Sequence, residues 1–178
     1  DLTAGAATPL LKISAVAENV AALGGDWIRV YNPTAAPVDL TTYFYNIGAG
    51  NVAFGTIIGT NPIPAAGEVT VDVAGLGASD SIQLVGPNPD NFVVDRVEYG
   101  AIGLSPEETI MPNAAAPGAG NEIYRTPSAG TDTNDCSADF AVQVAIEDTT
   151  APTATPTPAD LATGVNPATA TYKTTYSH

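Results

Sequence analysis

The sequence predicts an all-β fold: an antiparallel sandwich of about seven to nine short strands over residues 10 to 146, with almost no helix. Three observations predict it. Trp27, Arg29 and Tyr31 alternate with Ile28 and Val30, the period-2 pattern of a strand with two different faces. Turn signals recur at short intervals, at Asn32-Pro33, Gly48 to Asn51, Asn61-Pro62 and Gly86 to Asn91. Charged residues make up only 13% of the chain, against about 25% in a typical domain. Surface polarity therefore falls to Thr, Asn, Ser and backbone, which suits short strands and many turns.

The elements follow in order. Leu10 to Val16 is the first strand candidate, and Asn19 to Gly25 a Gly/Ala-rich connection. Asp26 to Tyr31 is the second strand. Asn32-Pro33-Thr34 ends it, because proline has no ladder donor and Asn-Pro favours turn initiation. Val38 to Tyr45 and Val52 to Ile58 are the next two strands, followed by Val69 to Val73. A polar turn from Gly75 leads into Ile82 and Leu84, and Phe92 to Gly100 alternates again. Ser105-Pro106-Glu107-Glu108 reads as one helical turn, with serine as N-cap, proline at N1 and acids following.

The order of these segments resembles the lamin tail domain, an immunoglobulin-like β-sandwich. Asp26-Trp-Ile-Arg-Val-Tyr-Asn-Pro followed by Val38-Asp-Leu is similar to that family's "(D/E)WIE(L/I)YNP" and "VDLSGW". Asn61-Pro-Ile-Pro-Ala-Ala-Gly, Ser79-Asp-Ser-Ile-Gln-Leu and Val93-Val-Asp-Arg-Val-Glu-Tyr-Gly resemble its next strands. Asn121-Glu-Ile-Tyr-Arg and Thr131-Asp-Thr-Asn-Asp-Cys-Ser-Ala-Asp-Phe resemble its last two segments. Arg29 departs from the usual acid, and Thr41-Thr42-Tyr43 from Ser-Gly-Trp. The resemblance runs from about Leu10 to Val144. It implies an immunoglobulin-like β-sandwich over residues 1–148, used for attachment and carrying no reaction.

Composition changes after Ile146. Residues 149–158 form a Thr/Pro linker, which favours extended polyproline II. Residues 159–178 make an extended C-terminal tail that resembles the opening of a bacterial Ig-like domain. About 20 residues are present where a complete domain of that kind needs about 100. Val165 to Tyr176 is rich in strand-forming residues. Val165, Ala168, Ala170 and Tyr172 are the positions from which it could add to the sheet edge of a neighbour.

Formal charge is −14, from 19 acidic and 5 basic residues. Lys12, Arg29, Arg96, Arg125 and Lys173 are scattered singly. No basic stripe exists to release counterions from nucleic acid, and an anionic membrane surface repels such a chain. No apolar run is long enough to span a bilayer. Asp1-Leu-Thr-Ala-Gly reads as a mature N-terminus after signal-peptide removal, which places the protein outside the cell or on its surface. Cys136 is the single cysteine and lies beside Asp135 and Asp139. Nearby negative charge raises a thiol pKa, so it reads as a core filler or an inert thiol.

Candidate chemistry is sparse. Asp132, Asn134, Asp135 and Asp139 offer the hard oxygens that calcium takes. They lack the glycine and terminal glutamate of an EF-hand loop, and a solvated acidic loop with Asx turns is the competing reading. No other cofactor is expected. Asp95 and Glu98 are three apart on a strand, so they point to opposite faces and cannot act as a pair. His178 is the only histidine and the last residue, and no serine has a base beside it. Trp27 is expected to pack in or against the core. Tyr43, Phe44 and Tyr45 place aromatics on both faces of one strand, and Tyr43 and Tyr45 are taken as a candidate contact surface. The expectation is a non-enzymatic, extracellular structural protein that self-assembles into a filament or surface layer by donor-strand addition. Its alternatives are an adhesion or anchoring module, or an accessory domain of a larger secreted enzyme.

Overall fold

The computed structural model describes residues 11–20, 25–48, 50–87, 91–102 and 112–145. All of them fall within one unit of the chain, Asp1–Glu147. The strands among them are β1 (Lys12–Val20), β2 (Gly25–Tyr31), β3 (Phe44–Asn46), β4 (Val52–Ala53), β5 (Ile57–Ile58), β6 (Glu68–Asp72), β7 (Asp80–Val85), β8 (Val93–Tyr99), β9 (Asn121–Arg125) and β10 (Phe140–Val144). A 3-10 turn at Leu40–Thr42 and a one-turn helix α1 at Cys136–Asp139 are the described helical elements. Six strands pair in the order β10–β9–β1–β2–β6–β5 and four in the order β4–β3–β7–β8. Neighbouring strands run antiparallel throughout. The fold is an all-β sandwich.

The core lies between the two sheets. Ile13, Val16, Ile28, Val30, Val69, Val71 and Ile123 come from the larger sheet, and Tyr45, Ile82, Leu84, Val97 and Tyr99 from the smaller. The alternation in β2 holds, with Ile28 and Val30 inward. A bulge at Ser14 is why β1 reads less cleanly. Ile13 pairs with Val30 and Ala15 with Arg29, so the extra residue keeps both Ile13 and Val16 in the core. Burial of Tyr99 pushes its phenol far above the ordinary tyrosine range. Its hydroxyl donates to Gly77 O at 3.0 Å.

Asn32 does more than start a turn. It is fully buried. Its amide donates to Ala36 O at 2.8 Å and Ile63 O at 3.0 Å, and its Oδ1 accepts from Thr34 N at 3.0 Å. One side chain thus satisfies backbone groups from two separate loops, as buried polar atoms require.

Three expectations need correction. Val38 to Tyr45 is not one strand. Val38 makes an isolated bridge to Ile63, and Asp39 then accepts from Thr41 N at 2.9 Å and Thr41 Oγ1 at 2.8 Å, capping the 3-10 turn. An aspartate that bonds its own backbone two residues on competes with a ladder, and here it wins. Val52 to Ile58 is also two pieces. Val52–Ala53 pairs with β3 in the smaller sheet, and Ile57–Ile58 with β6 in the larger. The segment crosses between sheets at Gly55. A Cβ there would lie 3.1 Å from Asp72 Cβ, so the close approach favours glycine. Finally, the sandwich has ten described strands, more than expected, because β4 and β5 are only two residues each. The helical turn expected at Ser105 lies outside the described residues, as do the linker and the tail.

Candidate functional site

The densest polar chemistry is buried between the sheets, and Arg125 is its centre. Arg125 sits on β9 with its side chain 1% exposed. Its Nε donates to Ile13 O at 2.7 Å and its Nη1 to Thr131 O at 2.7 Å. Its Nη2 donates to Asp95 Oδ1 at 3.1 Å and Oδ2 at 2.9 Å. Asp95 is on β8, in the opposite sheet, so the pair ties the two layers together. Asp95 Oδ2 also accepts from Ile13 N at 2.7 Å. Burial pushes the Asp95 carboxyl above its ordinary range, outweighing the opposing pull of Arg125, Lys12 and the Ile13 N–H. The guanidinium rests 4.7 Å from the centre of the Phe140 ring, a cation–π contact in a dry setting.

The acidic segment before β10 belongs to the same lock. Asp139 Oδ2 lies 3.5 Å from Arg125 Nη1 and accepts from Thr133 N at 2.8 Å, while Oδ1 accepts from Thr133 Oγ1 at 2.7 Å. Asp132 pairs with Lys12 and accepts from Asn134 N at 3.2 Å. Burial raises the Asp132 carboxyl, but the bonds from Lys12 and Asn134 N–H and the charges of Lys12 and Arg125 outweigh it and hold the group below its ordinary range. Asp135 caps α1, accepting from Ala138 N at 3.1 Å and Ser137 Oγ at 2.6 Å. The Ser137 hydroxyl and the helix N–H groups hold its carboxyl below the ordinary range too. Asn134 takes a left-handed turn at φ 59°. Asp132, Asn134, Asp135 and Asp139 are therefore turned to different partners. Among the described residues no three His, Cys, Asp or Glu side chains gather as a metal site. Cys136 packs in the core, where burial pushes its thiol up.

A second network lies on the outer face of the larger sheet. Ala15 and Ala17 on β1 are small, so side chains from its two neighbours meet across them. Arg29 Nη2 on β2 donates to Glu122 Oε2 on β9 at 3.1 Å, and the Gln143 amide on β10 donates to Glu122 Oε1. Burial pushes the Glu122 carboxyl up, against the charge of Arg29 and the bonds from Gln143 and Arg29. A carboxyl whose folded pKa is raised stabilises the fold below its unfolded value and loses that contribution as pH rises through the folded value. Glu122→Gln is therefore expected to flatten the stability-against-pH curve just above about pH 4.3. Parallel curves for the two proteins in denaturant titrations would show that Glu122 titrates alike in both states.

Sequence reasoning placed Asp95 and Glu98 on opposite faces, and they are: Asp95 meets Arg125 inside, while Glu98 pairs with Arg96 on the other side of β8. Tyr43 and Tyr45, taken as a contact surface, are both buried. They flank Phe44 on one face of the same segment, and that face is the core. Tyr45 Oη accepts from Ala74 N at 3.1 Å. Trp27 is fully buried but outside the main core, in a small cluster with Ala15 and Ala17, against which Tyr124 and Ala145 pack. Val165, Ala168, Ala170 and Tyr172 lie outside the described residues. The outer face of the smaller sheet carries an open hollow of about 360 Å³, bordered by Asn46, Ser81, Gln83 and Arg96. Comparison of the chain with family models, with curated proteins and with solved structures returns no match.

Proposed function

We propose that this chain is a non-catalytic structural module working outside the cell, a lamin-tail-like immunoglobulin-like sandwich that self-assembles into a filament or surface layer through β-strand addition. One observation carries the reading. Each of the four described basic side chains, Lys12, Arg29, Arg96 and Arg125, is paired with a carboxylate of the sandwich. Three of these pairs join different strands or segments, so the charged chemistry serves cohesion. The surface that remains is acidic and suits neither nucleic acid nor an anionic membrane.

The test compares the full chain with residues 1–148 by sedimentation and electron microscopy over rising concentration. The full chain is expected to form higher-order species that the shorter chain does not. Identical species from both would sink strand addition by the tail. A full chain that stays monomeric throughout would sink assembly itself.

A further inference from the structure

The larger sheet ends in β10, the last described strand, and two valines there are out of place. Phe140, Val142 and Val144 share one face of β10, the face that Phe140 buries in the core. Yet Val142 is 43% exposed and Val144 74% exposed. The inner face of β10 is thus covered at Phe140 and open at Val142 and Val144.

The backbone of the same residues is turned outward. Thr126 N donates to Asp139 O at 2.7 Å and Ala145 N to Gly120 O at 3.0 Å. These bonds fix the phase of a ladder in which Phe140 faces Arg125 and Val144 faces Asn121. Bonded pairs alternate along an antiparallel ladder. Ala141 and Gln143 therefore bond toward β9, and Phe140, Val142 and Val144 direct their N–H and C=O groups away from it. On that side Cys136 O takes the Phe140 N–H, and among the described residues no strand pairs with Val142 and Val144. The other edges are poorer. Strands β4 and β5 are two residues long, and the end of β8 is bonded to Ala114.

We propose that β10 accepts residues 165–173 of a second copy of this chain as an added strand, with Val142 and Val144 packing against Ala168 and Ala170. The assignment rests on the assembly reading above and names its acceptor. Charge favours this occupant. Beyond residue 148 only Asp160 and Lys173 are charged, so the whole net charge of −14 belongs to residues 1–148. Two folded units repel each other, whereas residues 149–178 are neutral as a whole and the donor 165–173 carries only the positive charge of Lys173, so it approaches either acidic unit without repulsion. The sequence alternates as an added strand requires: there Ala168, Ala170 and Tyr172 would share one face, and Thr169, Thr171 and Lys173 the other. Pro152, Pro156 and Pro158 follow soon after β10 and disfavour the short loop a hairpin onto the same edge needs. About ten extended residues at ~3.1 Å each carry the segment about 30 Å instead, the reach of a small domain.

The test uses full chains. Val142→Pro removes an N–H that β9 does not use, so the hairpin should survive while the edge is blocked. Ala170→Pro blocks the donor in the same way. Each variant is expected to raise the concentration at half-assembly at least about tenfold. Mixed together they should form one-to-one pairs that grow no further, because one chain still offers a donor and the other an acceptor. Thermal unfolding checks that both fold. Should Val142→Pro unfold, Val144→Lys tests the same edge by charge. If Val142→Pro and Val144→Lys assemble like the parent while Ala170→Pro does not, β10 is the wrong acceptor and the assembly reading stands. A parent chain that never assembles overturns both.

Discussion

Replacing Asp95 with alanine is expected to lower folding stability by about 3–5 kcal/mol, the loss typical when one partner of a buried ion pair is removed. The reason lies in what stays behind. Arg125 keeps its bonds to Ile13 O and Thr131 O, but its Nη2 loses both carboxylate oxygens and Ile13 N–H loses its acceptor. The charge is held between two sheets with almost no route to water, its side chain being 1% exposed. Among the described residues two other carboxylates lie near it: Asp139, whose oxygens already serve Thr133, and Asp132, 3.8 Å from Nη1, which is partly exposed and pairs with Lys12. Removing both charges together, as Asp95→Leu with Arg125→Met, should cost much less than Asp95→Ala alone, because no orphaned ion remains. Urea unfolding at neutral pH measures both. A loss under about 1 kcal/mol for Asp95→Ala would show that Asp139 or water replaces the missing carboxylate.

What was legible in the sequence depended on how local its cause was. The alternation from Trp27 to Tyr31 predicts β2 because period-2 burial needs only the strand itself. Asn32 announces its turn for the same reason, although its bonds to Ile63 O and Ala36 O could not be read there. The run from Val38 to Tyr45 reads as one strand because its apolar residues outweigh, in a local pattern, the capping bond that Asp39 makes to Thr41. The acidic segment from Asp132 to Asp139 was open to a calcium reading because its partners are distant in sequence: Lys12 is 120 residues from Asp132. A signal for this did exist. Lys12, Arg29, Arg96 and Arg125 all lie within strands of a strongly acidic chain. A cation placed inside a half-buried strand points to a cross-strand carboxylate more than to solvent. Three successive aromatics must use both faces of a strand, so the sequence alone leaves Tyr43 and Tyr45 open as a contact surface. Which pair takes the core depends on the register with Leu84, and no local pattern sets that.

Trp27→Ala is expected to be the second costly change, at about 3–5 kcal/mol. The ring is fully buried, yet it faces away from the main core. Its partners across the ladder are Ala17 on β1 and Asp72 on β6, so neither adjoining strand offers a large apolar side chain directly opposite to fill the space it leaves. The loss should extend beyond packing. Arg29 lies 5.2 Å from the ring centre and is held there while it bonds Glu122. Without the ring the guanidinium keeps only one constraint, and the Glu122 carboxylate, fully buried, depends on it. Trp27→Phe should be far milder, below about 1.5 kcal/mol, because it keeps an aromatic face under Arg29. It also removes Nε1, a buried donor with no hydrogen-bond acceptor among the described residues, whose desolvation opposes folding in the parent. A double-mutant cycle between Trp27→Ala and Glu122→Gln should then be non-additive, with the double variant more stable than the sum of its parts requires. Strict additivity would separate the ring from the ion pair. A cost below about 1 kcal/mol for Trp27→Ala would mean the outer cluster collapses around the gap and carries little of the fold.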